Sequence, residues 1–229
     1  MVDNLALCAA CLADLPCTEN TCQRCGVELG ATPPAHCYCG RCLLEPPSFD
    51  RCIPVFRYEF PIRELIAHFK FQAGFAEGRT LAHLLATRAE DYFDTLGRPQ
   101  RLLPVPLHPA RLRERGFNQS VELARIIGRH CGIAVDATSC RRARATPSQK
   151  GLTAEERAIN LRHAFTLDGD CADGSLQHLA IVDDVVTTMA TVDTLARLLR
   201  RAGIARIDVL CLARVSPPNS TSHAELTQL

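Results

Sequence analysis

The chain has 229 residues, 47% of them hydrophobic, and its 26 basic and 25 acidic side chains leave a formal charge of +1. That length accommodates one core domain of common size beside a small module, and the lack of a long apolar run excludes a membrane-spanning helix. The near-neutral total hides an asymmetry: residues 1–50 carry six acids against two bases, whereas residues 98–162 carry thirteen bases against five acids. A local positive field of that kind favours phosphorylated ligands or nucleic acid over membranes.

Eight of the thirteen cysteines fall within the first 42 residues, as Cys8-x-x-Cys11, Cys17, Cys22-x-x-Cys25 and Cys37-x-Cys39-x-x-Cys42. Each C-x-x-C knuckle places two thiolates on one edge of a tetrahedron, so Cys22, Cys25, Cys39 and Cys42 form a complete set for structural zinc. Nothing at the start reads as a secretory leader, which favours metal over disulfides and a cytoplasmic setting. Cys8, Cys11 and Cys17 supply three further thiols. Cys37 or His36 could complete a second zinc site with them, or the group could pack without metal; both alternatives stand. The separate cysteines at 52, 131, 140, 171 and 211 have apolar neighbours and are expected to be buried.

Residues 1–50 are thus expected to form a zinc module, with Glu45-Pro-Pro-Ser48 leading out of it. Residues 51–97 read as a linking helical segment packed on the core. Within it, Ile62, Leu65, Ile66 and Phe69 share a helical face between Pro61 and Phe71. Leu81, Leu84, Leu85 and Phe93 mark a second helix ending before Gly97. Phe69 and Phe71 are expected to be core residues rather than stacking platforms for bases. Next, Leu102–His108 reads as a short strand leading into a proline-set loop, followed by Arg111, Arg113, Arg115 and the helix opening Gly116-Phe117-Asn118-Gln119-Ser120. Asn118 is a candidate helix cap. Guanidinium groups bind phosphate oxygens in pairs, so a loop carrying Arg115 and one carrying Arg141, Arg142 and Arg144 could clamp a pyrophosphate. With 24 arginines against two lysines, any single arginine is equally well read as solvated surface. Thr153-x-x-Glu156 is a capping box for a helix over 153–162.

The most informative run is Leu179-Ala-Ile-Val-Asp183-Asp184-Val-Val-Thr187-Thr188-Met-Ala-Thr191, an apolar strand entering two acids and a threonine-rich turn. Two carboxylates present acceptors to the paired hydroxyls of a sugar diol. A turn that opens a helix offers free N–H groups and a positive dipole end, and hydroxyls complete a cradle for phosphate. A diol with a phosphate is a phosphorylated ribose. Val192, Leu195, Ala196, Leu199 and Ala202 then recur at helical spacing, Gly203 stops that helix, and residues 206–212 read as the next strand. Ligands of open parallel sheets bind at the carboxyl ends of strands, where Asp183 and Asp184 would lie. No G-x-x-x-x-G-K-[ST] motif occurs, which argues against a P-loop nucleotidase.

The Asp183–Thr191 segment resembles the signature of the type I phosphoribosyltransferases. The run Val105-Pro-Leu followed by Arg115-Gly-Phe-Asn-Gln119 resembles the ComF/GntX family of phosphoribosyltransferase-like proteins associated with DNA uptake in competent bacteria. That likeness continues through Arg141–Leu152, Glu156-Arg157, Asn160-Leu-Arg162 and Ala164-Phe165, so it covers most of the chain. It implies an α/β fold of phosphoribosyltransferase type over residues 98–216: a parallel sheet with helices on both faces, preceded by the zinc module; the polar composition of residues 217–229 reads separately as a disordered tail. The likeness further implies phosphoribosyl pyrophosphate and magnesium as ligands, with Asp183 and Asp184 as catalytic residues. Val185, Val186, Thr187, Thr188, Met189, Ala190 and Thr191 would complete the ribose-phosphate loop. Val105, Pro106, Leu107 and His108 would occupy the pyrophosphate-loop position. Arg115, Arg142 and Arg144 would meet the pyrophosphate, and Arg144–Gly151 would form a hood. Met189 stands where the family usually has glycine. Two functions follow from the likeness: transfer of a phosphoribosyl group, or a binding module for single-stranded DNA or a DNA-uptake protein.

Overall fold

The computed structural model describes residues 7–30, 37–142, 164–171 and 175–216. The predicted hood at 144–151, with Arg144, the helix at 153–162, His36 and the tail from 217 lie outside the described residues. Four parallel strands make the central sheet: β1 (Arg51–Arg57), β2 (Arg101–Pro104), β5 (His178–Val186) and β6 (Arg206–Arg214), in the order β1-β6-β5-β2. Two short helices, α1 (Ala9–Ala13) and α2 (Gly40–Leu44), precede β1, and between β1 and β2 run helices α3 (Ile62–Phe71) and α4 (Phe75–Leu96). Between β2 and β5 lie α5 (Pro109–Arg115), α6 (Gln119–Cys131) and a two-stranded antiparallel ribbon, β3 (Cys140–Arg142) with β4 (Phe165–Leu167). Helix α7 (Ala190–Arg201) joins β5 to β6.

Strand alternation divides the core into two layers. Leu179 and Ile181 of β5, with Ile207 and Val209 of β6, face Leu195, Ala196 and Leu199 of α7. Ala180, Val182 and Leu210 face the other way, onto Ile66, Leu81, Leu85, Leu123 and Ile127 of α3, α4 and α6. The parallel sheet with helices on both faces agrees with the expectation. So do the two helices between Pro61 and Gly97, and all five scattered cysteines are buried.

β1 was not among the predicted elements. The 51–97 stretch, expected to be a linking helical segment, begins with a strand hydrogen-bonded to β6, from Arg51 opposite Asp208 to Arg57 opposite Arg214. Pro54 obscures it, because proline within a strand argues against a central position. β1 is an edge strand, and the amino-terminal module covers its outer side. Cys52 N–H donates to Arg24 O at 2.8 Å, Thr18 N–H to Val55 O at 2.9 Å and Arg57 N–H to Pro16 O at 2.9 Å. The covering matters because a bare sheet edge is a template for aggregation.

Candidate functional site

Two loops leave the carboxyl ends of neighbouring strands and build the site. β2 and β5 pair with Pro104 opposite Val182, and Val105 N–H continues the ladder to Val182 O at 2.9 Å. The chain then runs through Pro106 and Leu107 to His108, which caps α5 by accepting from Ala110 N–H on Nδ1 at 3.2 Å. Beside it, β5 ends at Val186 and passes through exposed Thr187 and Thr188 to Met189. A small hollow of about 40 Å³ lies here, lined by Asp183, the Val185–Thr188 stretch and the first turn of α7. Thr188 Oγ1 accepts from Ala190 N–H at 3.5 Å.

Met189 has φ 69° and ψ −6°, the left-handed conformation that favours glycine. Its side chain is 5% exposed and belongs to the apolar layer of Val186, Val192 and Leu195. The methionine therefore keeps the backbone shape expected of a glycine and anchors it in the core. The left-handed backbone costs about 1–2 kcal/mol, while burying the side chain contributes about 1.5–3 kcal/mol. Met189→Gly is accordingly expected to change stability by no more than about 2 kcal/mol, read from a urea melt. A larger loss of stability would contradict that account of the position.

The acidic pair divides its work. Asp184 is 4% exposed and faces the α3 side, where Lys70 Nζ lies 2.8 Å from its Oδ1. That oxygen also accepts from Val185 N–H at 2.6 Å, and Oδ2 has no hydrogen-bond partner among the described residues. Asp183 faces the hollow. Its Oδ1 accepts from Ser120 Oγ at 3.3 Å and from Asp184 N–H at 2.9 Å. The two carboxylates expected side by side thus separate by strand alternation, one toward the turn and one toward a lysine. Burial and the negative charge of Asp184 push the Asp183 carboxyl up to about 7, against the pull of Lys70, the Asp184 N–H and Ser120.

The predicted arginines spread over two places. Arg142, on the ribbon, lies over the Phe165 ring at 5.5 Å and within electrostatic reach of Asp183; burial lowers its pKa. Arg141 is exposed, with Asp168 3.8 Å away. Arg115 bonds Gln119 and lies 5.1 Å over the Phe71 ring. It lines a separate cleft of about 520 Å³ with Lys70, Phe71, Arg111 and Phe117. Phe69 is buried as expected, but Phe71 is 73% exposed at this cleft. Asn118 does cap α6, accepting from Ser120 N–H at 3.0 Å, and its Nδ2 donates to Val105 O at 3.0 Å. One side chain thereby fixes the β2 loop and delivers Ser120 to Asp183.

The Cys22, Cys25, Cys39 and Cys42 sulfurs all lie within 4.8 Å of one another, with Cys25 and Cys39 3.6 Å apart. A zinc–thiolate tetrahedron with bonds of about 2.3 Å needs edges of about 3.8 Å, so the set fits this ion. Cys39 N–H donates to Cys22 Sγ at 3.2 Å. Hydrogen bonds from Cys25 and backbone amides lower the Cys22 thiol to about 4, whereas burial raises Cys42 to about 12. Gly26 closes the first knuckle at φ +67°, where a β-carbon would come 2.7 Å from Pro54 Cδ and 2.8 Å from Cys52 O. Close docking of the knuckle on β1 requires glycine there. Cys8, Cys11 and Cys17 are exposed and Cys37 is half-buried. Among the described residues they join no group of three or more metal-ligating side chains.

Lys70 and Ser120 are the site residues that sequence reasoning missed. Ser120 stood inside the quoted helix opening. Lys70 carried a compositional signal, as one of only two lysines in a chain that otherwise uses arginine.

No protein-family model matches the chain. It is 36% identical over 210 residues to competence protein F of Haemophilus influenzae, spanning 91% of this chain and 90% of that protein. It is 37% identical over 210 residues to DNA utilization protein YhgH of Escherichia coli K12, with the same coverage. Competence protein ComFC of Streptococcus pneumoniae is 25% identical over 160 residues, 70% of this chain and 66% of that one. Among solved structures, a hypoxanthine phosphoribosyltransferase of Trypanosoma cruzi aligns with a TM-score of 0.39 at 17% identity, over 66% of this chain and 83% of that one. A purine phosphoribosyltransferase of Pyrococcus horikoshii gives 0.34 at 19% identity, over 63% and 74%.

Proposed function

Because the chain belongs to the ComF family of competence protein F and DNA utilization protein YhgH, we propose that its β5 end binds phosphoribosyl pyrophosphate, or a related ribose phosphate, together with magnesium. The observation that carries this is Asp183, held by Ser120 and facing a threonine turn at the start of a twelve-residue helix. Thr187, Thr188 and the first N–H groups of α7 would take the 5-phosphate. Asp183 would accept from a ribose hydroxyl. With the oxygens of the pyrophosphate it would also hold magnesium, a hard cation suited to carboxylate and phosphate. Magnesium would supply charge compensation for a departing pyrophosphate. Lys70 keeps Asp184 neutralised, so that only one carboxylate charge faces the anionic ligand. Arg142 would meet the pyrophosphate side and stabilise the charge that develops there as the bond to the anomeric carbon breaks.

The Asp183 pKa gives this reading a pH signature. Between its ordinary value of 3.8 and about 7 the folded chain holds a proton that the unfolded chain has released. The contribution of Asp183 to stability therefore falls as pH rises through that window. Ligand binding runs the other way, because magnesium and the diol need the ionised carboxylate. Affinity for magnesium phosphoribosyl pyrophosphate is expected to drop about tenfold per pH unit below 7 and to level off above 8. Asp183→Asn should flatten that profile. A wild-type profile that is flat from pH 5 to 8 would contradict the role given to Asp183.

A second reading, single-stranded DNA as partner, is favoured by one observation. The cleft that holds Arg111, Arg115 and Glu114 carries an exposed Phe71, and arginines beside an aromatic platform suit a stacked base and its phosphates. No helix among the described residues is long and apolar enough to cross a membrane. The four-cysteine cluster, whose thiols must stay reduced to hold a metal, supports action in the cytoplasm.

A further inference from the structure

Arg214, the last residue of β6, is 4% exposed, and among the described residues no carboxylate pairs with it. Its Nε donates to Cys25 O at 3.0 Å, and the two hydrogens of its Nη1 are shared among Val186 O at 3.0 Å, Val215 O at 2.7 Å and Thr187 O. One guanidinium therefore joins three segments: a knuckle of the four-cysteine centre, the end of β5 where the threonine turn begins, and its own strand. Val215 N–H returns to Val186 O at 3.0 Å, which locks strand and turn together. A buried guanidinium needs its N–H groups satisfied, and here carbonyl oxygens accept from them. Arginine suits the position because its planar fork holds several donors in fixed directions, which a lysine does not.

We propose that Arg214 is a positioning residue that makes the shape of the threonine turn depend on metal at the four-cysteine centre. Zinc fixes the backbone of Cys25, Cys25 O fixes the guanidinium, and the guanidinium holds the carbonyls of Val186 and Thr187 from behind. The N–H groups beyond them, at the start of α7, then stay aimed at the ligand. Resting on the ribose-phosphate reading, a further consequence follows: the ligand binds the turn in the shape that the metal favours, so metal and ligand strengthen each other's binding by the same factor.

The test uses the full chain loaded with zinc and measures amide hydrogen exchange over residues 186–191, with β2 as internal reference. In wild type, removing zinc with a chelator is expected to raise exchange in this segment at least tenfold relative to β2. Arg214→Gln should raise it to a similar degree with zinc still bound, and chelation should then add less than twofold. Arg214→Lys, which keeps a charge and fewer directed donors, should restore part of the protection and stands in if the glutamine variant fails to fold. Equal increments from chelation in wild type and variant would overturn the proposal, as would unchanged exchange in both variants. Competition for zinc by a chromogenic chelator, with and without phosphoribosyl pyrophosphate and magnesium, reads the second consequence: zinc should be held several-fold more tightly with ligand in wild type and not in Arg214→Gln. Intact exchange coupling with no ligand binding would support the Arg214 proposal and sink the ribose-phosphate reading alone. Ligand binding with no effect on zinc would leave that reading standing and overturn the linkage.

Discussion

Cys39→Ser is expected to release the metal and unfold the amino-terminal module, lowering stability by at least about 3 kcal/mol, a fraction of the ~10–16 kcal/mol that structural zinc contributes to small domains. The four-cysteine cluster is partly buried, with its sulfurs within 4.8 Å of one another, so metal binding and folding of the module are expected to be one equilibrium. The loss spreads beyond the module, because the first knuckle adjoins the segment that covers β1. Without it the amides of Cys52 and Arg57 lose their carbonyl partners, and an open parallel edge is exposed. Cys211→Ser is the control. Cys211 is fully buried with Cys52 Sγ 3.8 Å away, and a serine there costs about 1–3 kcal/mol for an unsatisfied hydroxyl while leaving the metal in place. Elemental analysis and thermal melting of both variants decide the matter. A folded, metal-free Cys39→Ser module would contradict this account.

The second large effect is expected at Asp183. Asp183→Asn keeps the shape but turns one acceptor into a donor, facing a hydroxyl or a cation with the wrong group. Affinity for magnesium phosphoribosyl pyrophosphate should fall at least a hundredfold with the melting temperature unchanged or slightly raised, since an amide carries no buried charge. Asp184→Asn should behave differently. It leaves Lys70 as an uncompensated ammonium, 18% exposed, so stability should fall by about 3 kcal/mol. Ligand binding should weaken less than in Asp183→Asn, because Asp184 faces away from the hollow. Equal loss of affinity in the two variants, with stability unchanged, would show that both carboxylates touch ligand and that the division is mistaken.

That division was legible in principle. A strand through residues 179–186 has period two, so neighbouring acids must face opposite sides; reading them as a side-by-side pair overlooked the pleat. Most of the frame was open to sequence because its signals are local. The helices from Ile62 and Phe75 show their apolar faces, Asn118 shows its cap, and the two knuckles show a tetrahedron. What stayed hidden depends on long-range register. β1 carries a proline that reads as a strand breaker, and only the module on its outer side makes that edge acceptable. Arg214 offers no signal among 24 arginines, because its meaning comes from carbonyls 27 to 189 positions away in sequence. Lys70 shows the converse. Where arginine is the default cation, a lysine at a strand-end carboxylate marks a position that a compact ammonium fills and a guanidinium does not.

Calorimetric titration of the zinc-loaded chain with phosphoribosyl pyrophosphate and magnesium at pH 8 tests the central claim most directly. One saturable site per chain, lost in Asp183→Asn and retained in Phe71→Ala, is the expected result. No heat at millimolar ligand, together with salt-dependent binding of single-stranded DNA that Phe71→Ala weakens, would contradict it and favour the nucleic-acid module.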